Sequence, residues 1–206
     1  MSRYERKDRF FKKAKTERYA ARSVYKLEEI DRRYQLIRRG MRLVDLGAAP
    51  GSWAQYLAEG VGKKGRVVGY DLAMPSVHPG DNVLIFQADV AELDAPRILR
   101  DMARTEEPVP PGYRIDGVLS DMAPKLTGIR DADQAKSVAL AEQALRIAEA
   151  VVQPGGFFVA KLFQGRDTDL FLEHVRQTFR VVKLNKPEAT REGSREVFVV
   201  ALERRQ

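Results

Sequence analysis

The stretch MRLVDLGAAPGSW (residues 41–53) starts as an apolar run and ends as the opening of a helix. Leu43, Val44 and Leu46 crowd together without alternation, as in a strand covered on both faces of a parallel sheet. Gly47 breaks the run, and helix-compatible residues resume from about Gly51. A strand that passes through a tight glycine turn into a helix is the first half of a βαβ unit.

The same alternation continues outward. GRVVGYDL (65–72) and NVLIFQADV (82–90) read as strands, and a helix is expected near 92–104. IDGVLSDMAP (115–124) precedes a long Ala/Leu/Val-rich helix from about Asp131 to Val152. GGFFVAKLF (155–163) follows, then a helix over 167–179 and two closing strands near 180–186 and 195–202. Upstream, Val24, Leu27, Ile30, Tyr34 and Ile37 recur at helical spacing from Ser23 to about Arg38, with Gly40 as the expected stop. The pattern predicts an α/β, Rossmann-like fold, a mostly parallel sheet with helices on both faces. The last two strands leave no room for a helix between them and are expected to pair antiparallel. Ligands of such sheets bind at the carboxyl ends of the strands.

At 206 residues the chain suits one domain over 21–206 with a basic extension over 1–20. No apolar run approaches the roughly 20 residues of a membrane helix, so no membrane partner is expected. Cysteine is absent, and His78 and His174 are the only histidines. No metal site is therefore expected, and a reducing, cytoplasmic setting fits. No obvious dimerisation helix stands out, which favours a monomer.

The net charge of +7 is unevenly placed. Residues 1–39 hold 14 Lys/Arg against 6 Asp/Glu, leaving 22 against 23 for the rest. Tyr4, Phe10, Phe11, Tyr19 and Tyr25 are interleaved with these cations. Basic side chains neutralise phosphates and aromatic rings stack on bases, so the asymmetry favours a nucleic-acid partner. A solvated tail would share this composition. RRYQLIRR (32–39) belongs to the same basic run and, with the N-terminal cations, is expected to track nucleic-acid phosphates.

The turn itself narrows the ligand. A dinucleotide site would have G-x-G-x-x-G, leaving helix N–H groups free for a pyrophosphate. Here Ala49 stands at the middle glycine and Pro50 follows. That departs from a phosphate cradle and suits S-adenosylmethionine, which has no phosphates; it disfavours a nicotinamide-dependent dehydrogenase. Gly47 and Gly51 allow close backbone approach, and Pro50 suits an early helix position. Asp71 ends the second strand, where a carboxylate can accept ribose hydroxyls. Asp89 ends the third, placed to accept from an adenine amino group. Asp45, near the end of the first strand, joins the expected cofactor-binding set together with Gly47 and Pro50.

Lys161 sits inside an apolar strand run. Burying an ammonium costs several kcal/mol unless it is paired or loses its proton. A lysine at a strand end can also let its head escape to solvent. Asp121 ends the neighbouring strand in this topology, which would set a carboxylate beside the amine.

The blocks ARSVYKLEEID (21–31), LVDLGAAPGSWAQYL (43–57), SDMAPKLTG (120–128), AKLFQG (160–165) and KPEATREGSREVFVVA (186–201) together resemble the FtsJ/RrmJ-type ribose 2′-O-methyltransferases. The resemblance runs from about Tyr19 to Ala201. It implies a seven-stranded S-adenosylmethionine-dependent methyltransferase sheet and a Lys-Asp-Lys-Glu catalytic set on Lys26, Asp121, Lys161 and Glu196. It further implies cofactor contacts at Gly51, Trp53, Asp71, Asp89 and Asp121. The implied substrate is a uridine ribose in large-subunit rRNA, methylated on the assembled 50S subunit. Lys125 stands where the family commonly has Asn, and Gly193 where Arg is frequent. Both lie near the expected RNA face.

A ribose hydroxyl is a poor nucleophile at neutral pH. To act as its base a lysine must first be neutral, which desolvation and a second ammonium favour and carboxylates oppose. Lys161 is the expected base, Asp121 its orienting partner, and Lys26 and Glu196 the groups that position the ribose. A tRNA ribose methyltransferase would share this set, and a silent RNA-binding assembly factor would not need it.

Overall fold

The computed structural model describes residues 3–191 and 193–206. Leu43, Val44 and Leu46 lie in β1 (Arg42–Leu46), the strand from which the sheet grows in both directions. The elements follow as α1 (Arg3–Thr16), α2 (Val24–Tyr34), β1, α3 (Ser52–Val61), β2 (Arg66–Asp71), β3 (Val83–Gln87), α4 (Ala95–Ala103) and β4 (Ile115–Ser120). Then come α5 (Arg130–Val151), β5 (Val152–Phe163), α6 (Thr168–Thr178), β6 (Phe179–Asn185) and β7 (Glu196–Arg204).

The strands form one seven-stranded sheet in the order β3-β2-β1-β4-β5-β7-β6. The first five are parallel, and β7 runs antiparallel between β5 and β6. The chain leaves β1 towards β2 and β3, then returns to lay β4 on the other side of β1. The crevice of an open α/β sheet opens at such a reversal.

Both faces are covered. On one, Val44, Leu46, Val118 and Phe158 pack against Ile98 and Met102 of α4, Leu145 and Ala148 of α5 and Phe171 of α6. On the other, Leu43, Leu119, Val159 and Phe198 pack against Leu27 and Ile30 of α2 and Trp53 and Leu57 of α3. This explains why the strands read as unbroken apolar runs: period-two alternation has nothing to report when both faces are buried.

Four sequence expectations are corrected. The second helix stops at Tyr34 instead of Arg38, because Gln35 adopts the left-handed conformation and Asp31 Oδ1 accepts from the main-chain N–H of Leu36 and Ile37. Gly40 is not its stop. Pro50 lies ahead of α3, which begins at Ser52 with Gly51 as its cap, and the Ala49–Pro50 bond is cis. The fourth helix begins at Ala95, with the Asp94 side chain accepting from Arg97 N. Asp89 lies past the end of β3 and caps a separate 3-10 turn, Val90–Glu92. Among the described residues, no helix is long and apolar enough to cross a membrane.

The N-terminal segment is a helix docked on the fold. Phe10 and Ala14 of α1 pack with Val24, Tyr25 and Ala189. Tyr25 is buried, and Tyr19 donates to Glu59, so these rings support packing and are not free to stack on bases. Phe11 is exposed. The side chain of Tyr4 lies outside the described residues.

Candidate active site

A cavity of about 320 Å³ opens at the carboxyl ends of β1, β2 and β4. Gly47 and Ala49 form its floor, Asp71 and Asp121 enter from the ends of β2 and β4, and Asp89 from the turn after β3. Leu72, Val90, Met122 and Leu140 supply apolar walls. The strand-end rule thus brings together in space three carboxylates that are far apart in the chain.

Gly47 has a φ of 80°, in the left-handed region. A Cβ there would lie 3.0 Å from the main-chain N of Met122. The turn is held by Asp71, whose Oδ2 accepts from Ala49 N at 2.9 Å while Oδ1 accepts from Ala73 N. Asp71 therefore braces the turn from below and still has unused lone pairs on the cavity side of its carboxylate. Asp89 Oδ1 accepts from Ala91 N.

Asp45 lies behind this floor, fully buried, with neither carboxylate oxygen hydrogen-bonded within the protein. Burial, with the nearby charges of Asp121 and Asp71, pushes its carboxyl up to about 8. The site thus combines three carboxylates on the cavity wall with a fourth beneath it. Of these four, Asp121 alone is ion-paired among the described residues, with Lys161. Such a pocket repels a pyrophosphate and favours a cationic ligand with hydroxyls to donate.

Lys161 is buried in β5, at 7% exposure, between Ala160 and Leu162. Its Nζ donates to Asp121 Oδ1 at 2.9 Å and to the Asp121 carbonyl at 2.5 Å. The head does not escape to solvent. Phe198 stands directly opposite Lys161 in the β5–β7 ladder, and Glu196 lies two residues along β7 on the same face. Diagonal neighbours of that kind have Cβ atoms roughly 7 Å apart. Lys26 of α2 pairs with Glu196 Oε1 at 2.5 Å and sits 5.9 Å above the Phe198 ring. Two ion pairs therefore face one another across Phe198. Lys26 and Glu196 are also largely shielded from solvent, at 12% and 14% side-chain exposure.

Trp53 is buried 5.7 Å from Phe198, and its Nε1 donates to Ser23 O. It ties α3 to the start of α2, behind the Lys26 pair. Gly51 packs against Val77 and Pro75 of the loop after β2. Neither of them, nor Pro50, lines the cavity. Conversely, Met122, Ala123, Leu140 and Gln143 line it without any sequence signal. Only their place after the SD of SDMAP, or on the first long helix beyond it, could have suggested them.

Comparison with known proteins gives a consistent result. A family model described as FtsJ-like methyltransferase matches residues 19–204. The chain is 45% identical over 199 residues to a ribosomal RNA large subunit methyltransferase E from Syntrophobacter fumaroxidans, covering 97% of this chain and 96% of that protein. It is 44% identical over 202 residues to the protein of the same name from Bdellovibrio bacteriovorus, covering 98% and 99%. Among solved structures, a protein described as a ribosomal RNA methyltransferase from Plasmodium falciparum superposes with a TM-score of 0.76 at 24% identity, covering 90% of this chain and 98% of that one.

Proposed function

The chain belongs to the FtsJ-like methyltransferase family, and from that premise we propose that it methylates a uridine ribose 2′-OH of 23S rRNA on the assembled large subunit, using S-adenosylmethionine. One observation carries this reading. Asp121 belongs to the cavity wall and also holds the buried Lys161 amine, so one residue joins the donor pocket to the base.

The pocket suits this donor on its own chemistry. Asp71 and Asp89 can accept from the ribose hydroxyls and the adenine amino group. The carboxylates of Asp71, Asp89 and Asp121 favour the sulfonium and ammonium charges. S-adenosylmethionine, held by Asp71, Asp89 and Asp121, would supply an electrophilic methyl carbon with its sulfonium sulfur as the leaving group.

The protein's part is to place the hydroxyl in line and to receive its proton. Positioning supplies roughly 7–11 kcal/mol of such a barrier, and a general base about 10²–10⁴-fold. A neutral Lys161 has two N–H bonds and one lone pair. Both N–H bonds have acceptors on Asp121, which leaves the lone pair for the 2′-OH proton. Lys26 and Glu196, across Phe198, hold the ribose from the far side.

The test is transfer of labelled methyl from S-adenosylmethionine to large subunits, free rRNA and tRNA, followed by nucleoside digestion. Label in 2′-O-methyluridine from the large subunit is the expected result. Label in tRNA alone refutes the proposed substrate, and binding without transfer refutes the enzyme. Lys161→Arg is expected to be inactive at every pH, because guanidinium accepts no proton.

A further inference from the structure

The sequence groups Arg38 and Arg39 with the rest of the basic N-terminal run, but the structure separates them from it. Helix α2 carries Lys26 at the active site, and the segment after its end at Tyr34 brings Arg38 and Arg39 to the opposite pole of the sheet. There they meet Arg42 at the start of β1, Lys63 and Lys64 in the α3–β2 loop, and Arg66 at the start of β2. Two grooves of about 540 and 550 Å³ adjoin here, sharing Arg39 and Arg66 in their walls.

None of these six cations forms an ion pair among the described residues. Arg39 and Arg66 donate to neutral main-chain carbonyls, of Glu59 and of Met102 and Ala103. Arg42 stacks 4.4 Å from the Tyr113 ring centre. Arg38, Lys63 and Lys64 are exposed, and their side chains have no partner among the described residues. The carboxylates in the groove walls are Glu59, Asp81 and Asp116. Asp116 is occupied by Arg42 N and Gln153, and Glu59 accepts from Tyr19. The part of the chain after residue 39 has fewer cations than anions, so this surplus is not an average of composition. Clustered like charges repel one another, and a polyanion relieves that repulsion.

We infer that this pole is a second RNA-binding face, which holds phosphates of a segment of the large-subunit RNA other than the one that is methylated. The inference rests on the proposed function, since only an RNA substrate makes an RNA segment the favoured polyanion. The separation sets the geometry. Arg42 begins β1 and Gly47 follows its last residue, roughly 17 Å apart at a strand rise of 3.3 Å per residue. A large folded RNA presents two segments at once, one at the cavity mouth and one at this pole.

The test uses the full chain carrying Arg38→Glu, Lys63→Glu and Lys64→Glu, alongside the matching glutamine variant. Binding of protein-free large-subunit rRNA is measured across a salt series, with S-adenosylmethionine affinity and single-turnover transfer at saturating RNA. The glutamate variant is expected to bind the RNA about tenfold or more weakly. Its log–log salt dependence should be shallower by about 2, as two to three phosphate contacts are lost. Cofactor affinity and saturated transfer should be unchanged. The glutamine variant should shift in the same direction by less, and it serves as the reading if the glutamate variant does not fold. Unchanged RNA affinity and slope overturn the inference. So does weaker binding to whole subunits with unchanged binding to naked RNA, which points to an acidic ribosomal protein instead. Wild-type chain that binds the RNA but transfers no methyl defeats the proposed function, while the comparison of affinities still decides this face.

Discussion

Lys161 and Asp121 are joined twice, through the Asp121 side chain at 2.9 Å and through its main-chain carbonyl. The carboxylate orients the amine, and the carbonyl fixes its height above the end of β4. A lysine on an apolar strand is tolerable because its amine donates to two fixed acceptors and lies beside a carboxylate.

Replacing either partner should separate their roles. Lys161→Ala should lower the rate of the chemical step by about 10²–10⁴-fold and leave S-adenosylmethionine binding nearly intact. Asp121→Asn should lower the rate and also weaken cofactor binding, because the same residue lines the donor cavity. Single-turnover kinetics with calorimetric titration of the cofactor reads both. Equal loss of cofactor affinity in the two variants would contradict this division.

The Lys26–Glu196 pair should behave as a unit. Removing one member leaves the other poorly solvated, so Lys26→Met and Glu196→Gln should each destabilise the fold by about 1–3 kcal/mol. The double variant should be less destabilised than the sum of the two. Urea unfolding of the four proteins closes the cycle, and strict additivity would show the two residues to be uncoupled.

Asp45 predicts a pH dependence of stability. Its carboxyl is raised from an unfolded value near 4 to about 8. Between those values the folded state keeps a proton that the unfolded chain releases. This contribution to stability is complete below pH 4 and lost as pH rises towards 8. Asp45→Asn mimics the protonated form. The variant should match the wild type below about pH 4, exceed its melting temperature increasingly from there to pH 8, and show a level gap above that. A constant gap from about pH 4 to 8 would refute the assignment.

Gly47→Ala should damage the turn. The new Cβ would meet the Met122 main chain at 3.0 Å, with φ at 80°. The left-handed backbone costs about 1–2 kcal/mol for an L-residue before any displacement. The measurable results are a melting temperature lower by several degrees and weaker S-adenosylmethionine binding. A variant with wild-type stability and binding would show that this close approach is not needed.

The strand–turn–helix at 41–53 is legible because its signals are local: an apolar run, a glycine at positive φ and a helix start. The end of α2 is misread for the opposite reason. The apolar spacing continues to Ile37, but Asp31 turns back on Leu36 and Ile37 and ends the helix at Tyr34. The interleaved aromatics mislead in the same way. Tyr25 is assigned to RNA by its basic neighbours, yet it is buried under Phe10 and Lys13.

The order of strands and helices from Ser23 onward, the glycine turn without a phosphate cradle and the uneven charge all follow from the sequence alone, whereas helix α1 does not. Each depends on a residue and its near neighbours, whose sterics and hydropathy act over a few positions. The tertiary structure alone decided that β7 inserts between β5 and β6, which carries Glu196 to Lys26 and sets Phe198 against Lys161. It also decided that Arg38 joins Lys64 at the far pole. Pairing across strands depends on sheet order and register, and burial energy summed over the whole core selects these, so no local window encodes them.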